Sequence, residues 1–468
     1  MANVDLRARL ADVSASIAEL ERRDGDTVFS SRLKALEDVR WSIQRQLECI
    51  VYPVLSLPPE IVSNICLHCL PPVVPIDRRK ATKTTLAPLL LLQICRTWRE
   101  IALSTPHLWD SLHLRLATLR PETQKGIADW FSRAGSCPLT FSLCLRELWG
   151  TFAGGISGIL YPLAPRLQSL YLEVSWRQFG ELSDIGPFPT LEHLALLLPQ
   201  RNYRPNWNVP LKLFSAAPRL RHIAFIGFAR PSMFVLPRSE VSKMTCNLLT
   251  TKQCLDLLEA HPSLEELSAS VCDDNSHPEL ITHSHLETLR LFSSSSYSSL
   301  RVLRLPALQN LRVSLDLRSD DGDYFPAFLA STSLRRFHTD NRITSLSAEW
   351  FATAMPGLVD IDLYDPEPLF LRDFFARLDR AKDSGFLPHL RTIVLRECFF
   401  ELDASVLGAL SSRCTAGDEN LAVLDSFQQI WPKKLNTFPW DTAMLTACRE
   451  LVERGMGIHV GSTGWNWV

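Results

Sequence analysis

The N-terminal segment carries apolar residues at helical spacing. Leu6, Leu10, Val13, Ile17 and Leu20 follow one another at steps of four and three residues, which is a heptad seam. Beyond the glycine at position 25 the series resumes with Phe29, Leu33, Leu36, Val39, Ile43, Leu47 and Ile50. The pattern predicts an amphipathic or coiled-coil helical segment over residues 1–52. Two arrangements stay open: a coiled coil or hairpin that self-associates through residues 4–50, or a helix pair that folds against the rest of the chain.

Two short amphipathic helices are predicted between residues 53 and 114. Pro58 and Pro59 suit the first turn of a helix, because a missing N–H is not felt there. Ile61 and Ile65 then give this helix an apolar face at i, i+4 spacing. A second helix is expected over residues 88–103, with one apolar side formed by Leu91, Ile94, Trp98 and Ile101. Two short helices cannot bury such faces alone, so the pattern predicts a partner.

From about residue 165 the apolar positions recur as Leu-x-x-Leu-x-Leu. Clear copies start at Leu167, Leu191 and Leu220, and the series runs on to a copy at Leu390. Most intervals fall within the roughly 20–29 residues typical of leucine-rich repeats. In each strand the leucines point into the core and the alternating residues point outward. We therefore expect the α/β class, with N-terminal helices followed by a curved leucine-rich-repeat solenoid over residues 161–468 whose parallel strands form its concave side.

Residues 115–160 are predicted to bridge the helices and the repeats and to cap the first repeat. A helix is expected over residues 121–134, a strand over 136–145 and a glycine-rich loop over 150–158. The solenoid should end in a C-terminal cap. Asp441 is expected to start its helix and Gly455 to stop it, with a last strand over 457–460 and the tail 465–467 covering the final face.

Composition limits the classes of protein. The chain has 468 residues, 46% of them hydrophobic, and a net charge of −2, so it lacks the basic character expected of a nucleic-acid-binding protein. Its twelve cysteines show no regular spacing, and no apolar run reaches membrane-spanning length. The N-terminus does not match a signal peptide. These features predict a cytoplasmic or nuclear protein that binds neither nucleic acid nor membrane.

Candidate chemistry is sparse. The Cys66, His68 and Cys69 group has metal-like spacing but no second pair at a zinc-site distance. The His283-x-His285 pair is interpreted as turn surface, and the aspartates of residues 320–323 lack the ligand spacing of a calcium loop. No phosphate-binding loop or hydrolase motif is present. We therefore expect no enzyme activity, no catalytic residue, no cofactor and no metal.

The outward positions of the repeat strands mix aromatic residues with both signs of charge. A uniform basic stripe would indicate nucleic acid, whereas arginine and tyrosine anchors are typical of protein recognition. The residues predicted to bind a target protein on the concave face are Tyr171, Glu173, Arg290, Arg312, His338, Asp340, Asp362, Tyr364 and Arg396.

Residues 53–114 resemble the F-box family. The matches to its pattern are Leu57, Pro58, Glu60, Ile61, Ile65, Ile94 in place of valine, Cys95, Arg96, Trp98, Arg99, Leu108 and Trp109. The chain departs from the family between positions 71 and 88, where a longer segment replaces a short loop. The overall layout, with a helical segment before the motif, most resembles the large F-box families of basidiomycete fungi.

The resemblance implies a substrate-recognition subunit of a Skp–cullin–F-box ubiquitin ligase. It implies docking on a Skp-family adaptor, and through it on a cullin, by Leu57, Pro58, Pro59, Ile61, Ile65, Ile94, Trp98, Leu108 and Trp109. The repeats would hold an unknown target protein. One alternative is a leucine-rich-repeat scaffold outside any ligase, whose F-box has drifted and no longer binds an adaptor.

Overall fold

The computed structural model describes residues 2–21, 27–48, 57–70, 87–117, 119–145, 155–180, 182, 185–198, 210–237, 241–272, 274, 279–292, 298–314, 324–342, 346–414, 421–432 and 442–468. The chain divides into two compact units, Met1–Leu108 and Trp109–Val468. The predicted boundary after residue 114 falls inside the second unit, because the first strand of its sheet begins at Ser111. Residues 115–145 therefore belong to the sheet and its first covering helix.

The first unit is helical in its described part. Its elements are α1 (Ala2–Glu21), α2 (Thr27–Glu48), α3 (Pro59–His68), α4 (Leu91–Ile94), α5 (Arg96–Ser104) and a 3-10 turn at Pro106–Leu108. Helix α3 begins at Pro59, with Pro58 as its N-cap, as the two prolines predict.

Helices α1 and α2 pack against each other. A helix of 20 residues is about 30 Å long, whereas the connection of residues 22–26 reaches at most about 20 Å. The pair must therefore run antiparallel, as a hairpin. Ile17 and Ile43 are buried in it, but Val39 is exposed and Arg40 takes the half-buried heptad position instead.

The second unit is built on one long sheet. Its strands are β1 (Ser111–Leu116), β2 (Leu139–Leu145), β3 (Leu167–Glu173), β4 (His193–Leu198), β5 (His222–Gly227), β6 (Lys243–Thr250), β7 (Glu266–Cys272), β9 (Thr288–Phe292), β11 (Asn310–Ser314), β12 (Arg336–Thr339), β13 (Asp360–Tyr364), β14 (Thr392–Arg396), β15 (Ser426–Ile430), β16 (Gly457–Ser462) and β17 (Trp465–Asn466). Spatial order follows chain order and every neighbouring pair is parallel except β16 with β17. Strands β8 (Ile281–Thr282) and β10 (Leu303–Arg304) form a separate small parallel sheet.

Helices follow many of the strands, as parallel pairing requires. They are α6 (Pro121–Arg133), α7 (Ser157–Leu163), α8 (Trp176–Gly180), α9 (Thr251–Ala260), α10 (Ser298–Arg301), α11 (Tyr324–Ala330), α12 (Ala348–Ala354), α13 (Pro368–Leu378), α14 (Ala404–Ser412) and α15 (Thr442–Glu453). Local sequence sets their ends. At α9 the side chain of Thr250 accepts from the backbone N–H of Gln253, and the side chain of Gln253 accepts in return, which is a capping box.

Two rows of side chains run unbroken through the core of the sheet. One row places in register Phe141, Leu170, Leu194, Ile223, Met244, Leu267, Leu289, Leu311, Phe337, Ile361, Ile393, Phe427 and Ile458, and all of them are buried. The second row, two residues further along, includes two buried polar residues. Thr339 accepts from the N–H of Tyr364 at 2.8 Å, and Gln429 donates to two loop carbonyls. Their hydrogen bonds offset part of the cost of burial.

Every predicted repeat copy forms a strand of the sheet, and the predicted helical returns near 251, 325, 348 and 369 are helices. Strands β1, β8, β10, β15 and β17 were not predicted. At the C-terminus α15 and β16 match the predicted cap, while Asp441 lies outside the described residues. The end of the chain pairs with β16 as strand β17. Among the residues described, no helix has the length and apolar content needed to cross a bilayer.

Candidate functional site

The outward side of the sheet brings the predicted recognition residues together. We define the open face of the sheet as the side whose residues alternate with the two buried rows. One row in register on this face is Ser142, Tyr171, Ala195, Ala224, Thr245, Ser268, Arg290, Arg312, His338, Asp362, Val394 and Gln428. The residues predicted for target binding all fall in this row or in the next row along the strands.

Arg312 and Asp340 form a two-pronged ion pair on the open face. The guanidinium donates from Nε to Oδ2 at 2.6 Å and from Nη2 to Oδ1 at 2.7 Å. This fork geometry is the strong form of an arginine–carboxylate pair. Burial raises the pKa of Asp340, but the hydrogen bonds and charges of Arg312 and His338 outweigh it and hold that pKa below its ordinary value. Asp340 is therefore a carboxylate at neutral pH.

Arg396, Asp362 and His338 extend this pair into one network. Arg396 donates from Nε to Oδ1 of Asp362 at 2.6 Å and from Nη2 to the carbonyl of Thr339 at 2.7 Å. His338 Nδ1 lies 2.7 Å from Oδ2 of Asp362, and its Nε2 lies within hydrogen-bond distance of Arg396 Nη2. His338 Nε2 also lies 3.2 Å from Oδ1 of Asp340, so the imidazole ring contacts both carboxylates of the network.

Tyr364 completes this part of the open face. The guanidinium carbon of Arg396 lies 5.9 Å from the centre of the Tyr364 ring, within cation–π range. Five of the nine residues predicted for target binding thus join in a single network, and Tyr364 borders it. Because Arg312 pairs with Asp340 and Arg396 pairs with Asp362, the arginine and aspartate charges largely cancel within the network.

A second ion cluster lies further toward the N-terminal end of the sheet. Glu266 accepts from Arg290 Nη1 at 2.5 Å and lies 3.3 Å from the Lys243 ammonium. Arg336 and Asp360 form a further, more exposed pair at 2.8 Å. The sequence prediction named only Arg290 among these residues. The signal that could have found the others is their shared position in the repeat. One residue before the second leucine position, facing outward, stand Lys243, Glu266, Arg336 and Asp360.

The first strands carry little charge on the open face. Tyr171 donates to Glu173 at 3.3 Å, so these two predicted residues also bond to each other. Burial, together with Glu173, raises the pKa of the neighbouring Cys144 thiol to about 11, which leaves that thiol protonated and unreactive. His193 and His222 meet edge to face with ring centroids 4.5 Å apart. The open face thus has a mostly neutral first half and a charged second half.

The residues predicted to bind an adaptor separate into exposed and buried groups. Ile61 and Ile94 are 46% and 54% exposed, Pro58 and Pro59 are exposed, and Leu57 and Ile65 are half-buried. In contrast, the buried members are Trp98, Leu108 and Trp109, at 8%, 1% and 0% exposure.

The three buried residues expose almost no surface to a partner chain, which does not favour the direct adaptor contact predicted for them. Trp109 packs edge to face on Trp130 with centroids 4.8 Å apart, and the Arg133 guanidinium lies 4.6 Å from its ring centre. Trp98 lies on the inner side of α5 together with Ile101 and Ala102. Their burial makes them parts of the core.

A break at Cys95 explains why the apolar face predicted over residues 88–103 splits. Cys95 is extended, with φ −157° and ψ 172°, and ends α4 while it caps α5. Its Sγ accepts from the N–H of Trp98 at 3.4 Å. Leu91 and Trp98 are therefore buried, whereas Ile94 turns outward. In α3 the inner face is Val62 and Cys66, one position later than the predicted pair Ile61 and Ile65.

Two of the remaining candidates for chemistry, His283 and Cys66, have structural roles, whereas the aspartates of residues 320–323 lie outside the described residues. His283, predicted as turn surface, is buried: its Nδ1 accepts from the N–H of Leu286 and its Nε2 lies 3.1 Å from the carbonyl of His261. Cys66 is buried, and burial raises the pKa of its thiol. In the described part of the chain, no group of three or more His, Cys, Asp or Glu side chains is arranged to hold a metal ion.

No protein-family model matches the chain, and no curated protein is significantly similar to it.

Proposed function

We propose that this protein is the substrate-recognition subunit of a Skp–cullin–F-box ubiquitin ligase. The observation that carries the proposal is the exposed apolar surface of the helical unit. Five large apolar side chains in the segment that resembles an F-box are exposed, between 40% and 54%, namely Ile61, Leu89, Leu90, Ile94 and Leu103. Exposed apolar residues gathered on short helices are typical of a surface that another chain covers.

The adaptor surface assigned under this proposal is smaller than the sequence implies. It consists of the exposed residues among those predicted to dock on the adaptor, Pro58, Pro59, Ile61 and Ile94, together with the half-buried Leu57 and Ile65. Leu89 and Leu90 extend it. Trp98, Leu108 and Trp109 are buried and are left out of this surface.

The target-binding role belongs to the open face of the sheet. Parallel strands in chain order, with helices on the return path and two buried rows in register, support a leucine-rich-repeat solenoid whose open face is concave. Arginine, histidine and tyrosine side chains on that face are the residue types that anchor protein partners. The protein would contribute proximity, since it raises the effective concentration of target lysines near the ubiquitin-charged enzyme.

Copurification with an adaptor tests the proposal. The full-length chain is co-expressed with a Skp-family adaptor, as wild type and with Ile61→Asp or Ile94→Asp. Both positions are half exposed, so the substitutions leave the fold intact while placing a charge in the apolar contact. Loss of a hot-spot contact is worth roughly 2 kcal/mol, or about 30-fold in Kd, so adaptor recovery should fall to background.

Leu369→Asp is the matched control, because Leu369 is 76% exposed on α13 of the other unit. Its adaptor recovery should equal that of the wild type. Absence of the adaptor from the wild-type preparation would reject the ligase role. That result would favour the alternative of a repeat scaffold whose F-box-like residues are a structural remnant.

A further inference from the structure

Two arginines lie side by side on the open face. Arg290 on β9 and Arg312 on β11 are register partners in neighbouring parallel strands, which places their backbones about 4.8 Å apart. Their side chains leave the sheet on the same side, because the residues that flank each of them along the strand are buried. Like charges directly opposite on neighbouring strands destabilise a sheet. The fold therefore carries an electrostatic cost at this point.

Each arginine is braced from its outer side. Glu266, on the strand before, holds Arg290 at 2.5 Å, and Asp340, beyond the far strand, holds Arg312 through two bonds. Arg290 thus uses one nitrogen and Arg312 two. A guanidinium has five N–H donors, so both retain donors for a ligand. The two carboxylates therefore hold the guanidinium groups in place, and N–H donors remain on both guanidiniums.

The cationic ends are also the accessible ones. The Arg290 and Arg312 side chains are 42% and 41% exposed, whereas their carboxylate partners Glu266 and Asp340 are only 22% and 18% exposed. An approaching group therefore has more access to the two arginine side chains than to their carboxylate partners. Although each ion pair is neutral as a whole, the two arginines remain accessible as positively charged hydrogen-bond donors.

An apolar neighbour lies beside the arginine pair. Phe292 is two residues beyond Arg290 on the same face and is 44% exposed, and its register partner is the small Ser314. An exposed phenylalanine next to paired guanidiniums combines an apolar contact with an anion contact. This combination suits a partner segment that carries an anionic group next to an apolar side chain.

We propose that Arg290 and Arg312 together bind an oxyanion on the target protein, a phosphorylated side chain or a carboxylate, with Phe292 contacting an adjacent apolar residue. Two forks can hold one tetrahedral or planar anion with charge-assisted bonds, and the bound anion also relieves the repulsion between the arginines. This inference rests on the proposed target-binding role and specifies the chemistry of the target.

Peptide arrays test this site with the full-length protein. Three arrays share the same randomised nonapeptides and differ only in the central residue, which is phosphoserine, glutamate or serine. The wild type should bind the phosphoserine or the glutamate array at least tenfold better than the serine array. Arg290→Ala and Arg312→Ala should each remove about tenfold or more of that preference, since each loses a hydrogen bond to a charged group.

Arg336→Ala is the matched control. Arg336 lies on the same face with 69% side-chain exposure, but its register partners are Asn310 and Asp360, so neither register partner carries a like charge. The control should keep the preference. Arg312→Lys keeps the positive charge but loses the two-pronged guanidinium geometry, so this variant should retain only part of the preference for the anionic peptides. Unfolding temperatures of all variants are measured beside the arrays, so that a loss of folding is recognised.

The outcomes discriminate cleanly. A preference for phosphoserine alone assigns the oxyanion to a phosphate, and an equal preference for glutamate assigns it to a carboxylate. Equal binding to all three arrays, or an equal loss in the Arg336 control, overturns the site. Adaptor copurification is independent of this result, so a failed ligase assignment and a failed anion site are distinguishable.

Discussion

Arg396 and Asp362 join two neighbouring strands by a hydrogen bond of 2.6 Å from Nε to Oδ1. The two residues are 34 positions apart in the sequence, and each side chain is about one quarter exposed. The same guanidinium also reaches the backbone carbonyl of Thr339. Arg396 therefore connects strands β12, β13 and β14, and its removal takes one hydrogen-bond donor from Asp362 and one from the Thr339 carbonyl.

Arg396→Met is expected to destabilise the protein by about 1–3 kcal/mol, because a partly buried carboxylate and a carbonyl each lose a charged donor. Arg336→Met, in the more exposed pair with Asp360, should cost at most about 0.5 kcal/mol. Urea unfolding of both variants measures the difference. Equal losses at the two positions would show that the network adds nothing beyond a surface ion pair.

Acid should weaken the contribution of Asp340. Its pKa in the folded chain is held below the ordinary value, so its carboxylate stabilises the fold fully above about pH 4. That contribution is lost as the pH falls through the lowered value. We expect the stability difference between wild type and Asp340→Asn to shrink on acidification below about pH 4, as followed by urea unfolding. A difference that stays constant down to pH 2 would contradict the assigned shift.

Cys95 should act as a helix cap. Cys95→Ala removes the acceptor for the N–H of Trp98 and is expected to cost about 1 kcal/mol, whereas Cys95→Ser keeps an acceptor of the preferred kind. Hydrogen exchange of residues 96–104, measured by mass spectrometry, should be faster in the alanine variant only. Faster exchange in both variants would assign the effect to the sulfur and not to the cap.

Two glycines should respond in opposite directions to alanine. Gly227 has φ +70°, and a Cβ there would lie 2.4 Å from the carbonyl oxygen of Leu198, so Gly227→Ala should cost about 1–3 kcal/mol. Gly126 lies within α6 with nothing within 4 Å of its Cβ position. Gly126→Ala should therefore stabilise by about 0.5–1 kcal/mol. Thermal unfolding of the two variants checks the signs, and the same sign at both positions would refute the explanation.

The apolar pattern predicted the strands far better than the helical unit. A strand needs only alternation, and the repeated leucines supply it at every copy from Leu167 to Leu390. Strand β15 was missed because Gln429 occupies a leucine position, and only its bonds to the carbonyls of Cys398 and Phe400 make that burial possible. In the helical unit, a one-position rotation of α3 and the break at Cys95 moved the exposed face, because a short helix has too few apolar residues to fix its orientation.

The sequence alone determined the repeat period, the two buried rows and the set of residues that faces outward. These follow from the two-residue alternation of a strand, which is a local property. Only the tertiary structure decided that Arg290 lies beside Arg312, that Arg312 pairs with Asp340, and that Arg413 is buried with its guanidinium bound to three backbone carbonyls. Such partners lie 22 to 35 residues apart, and the register of stacked strands and the loops between them bring them together. The local sequence pattern does not determine which outward-facing side chains contact each other across neighbouring strands.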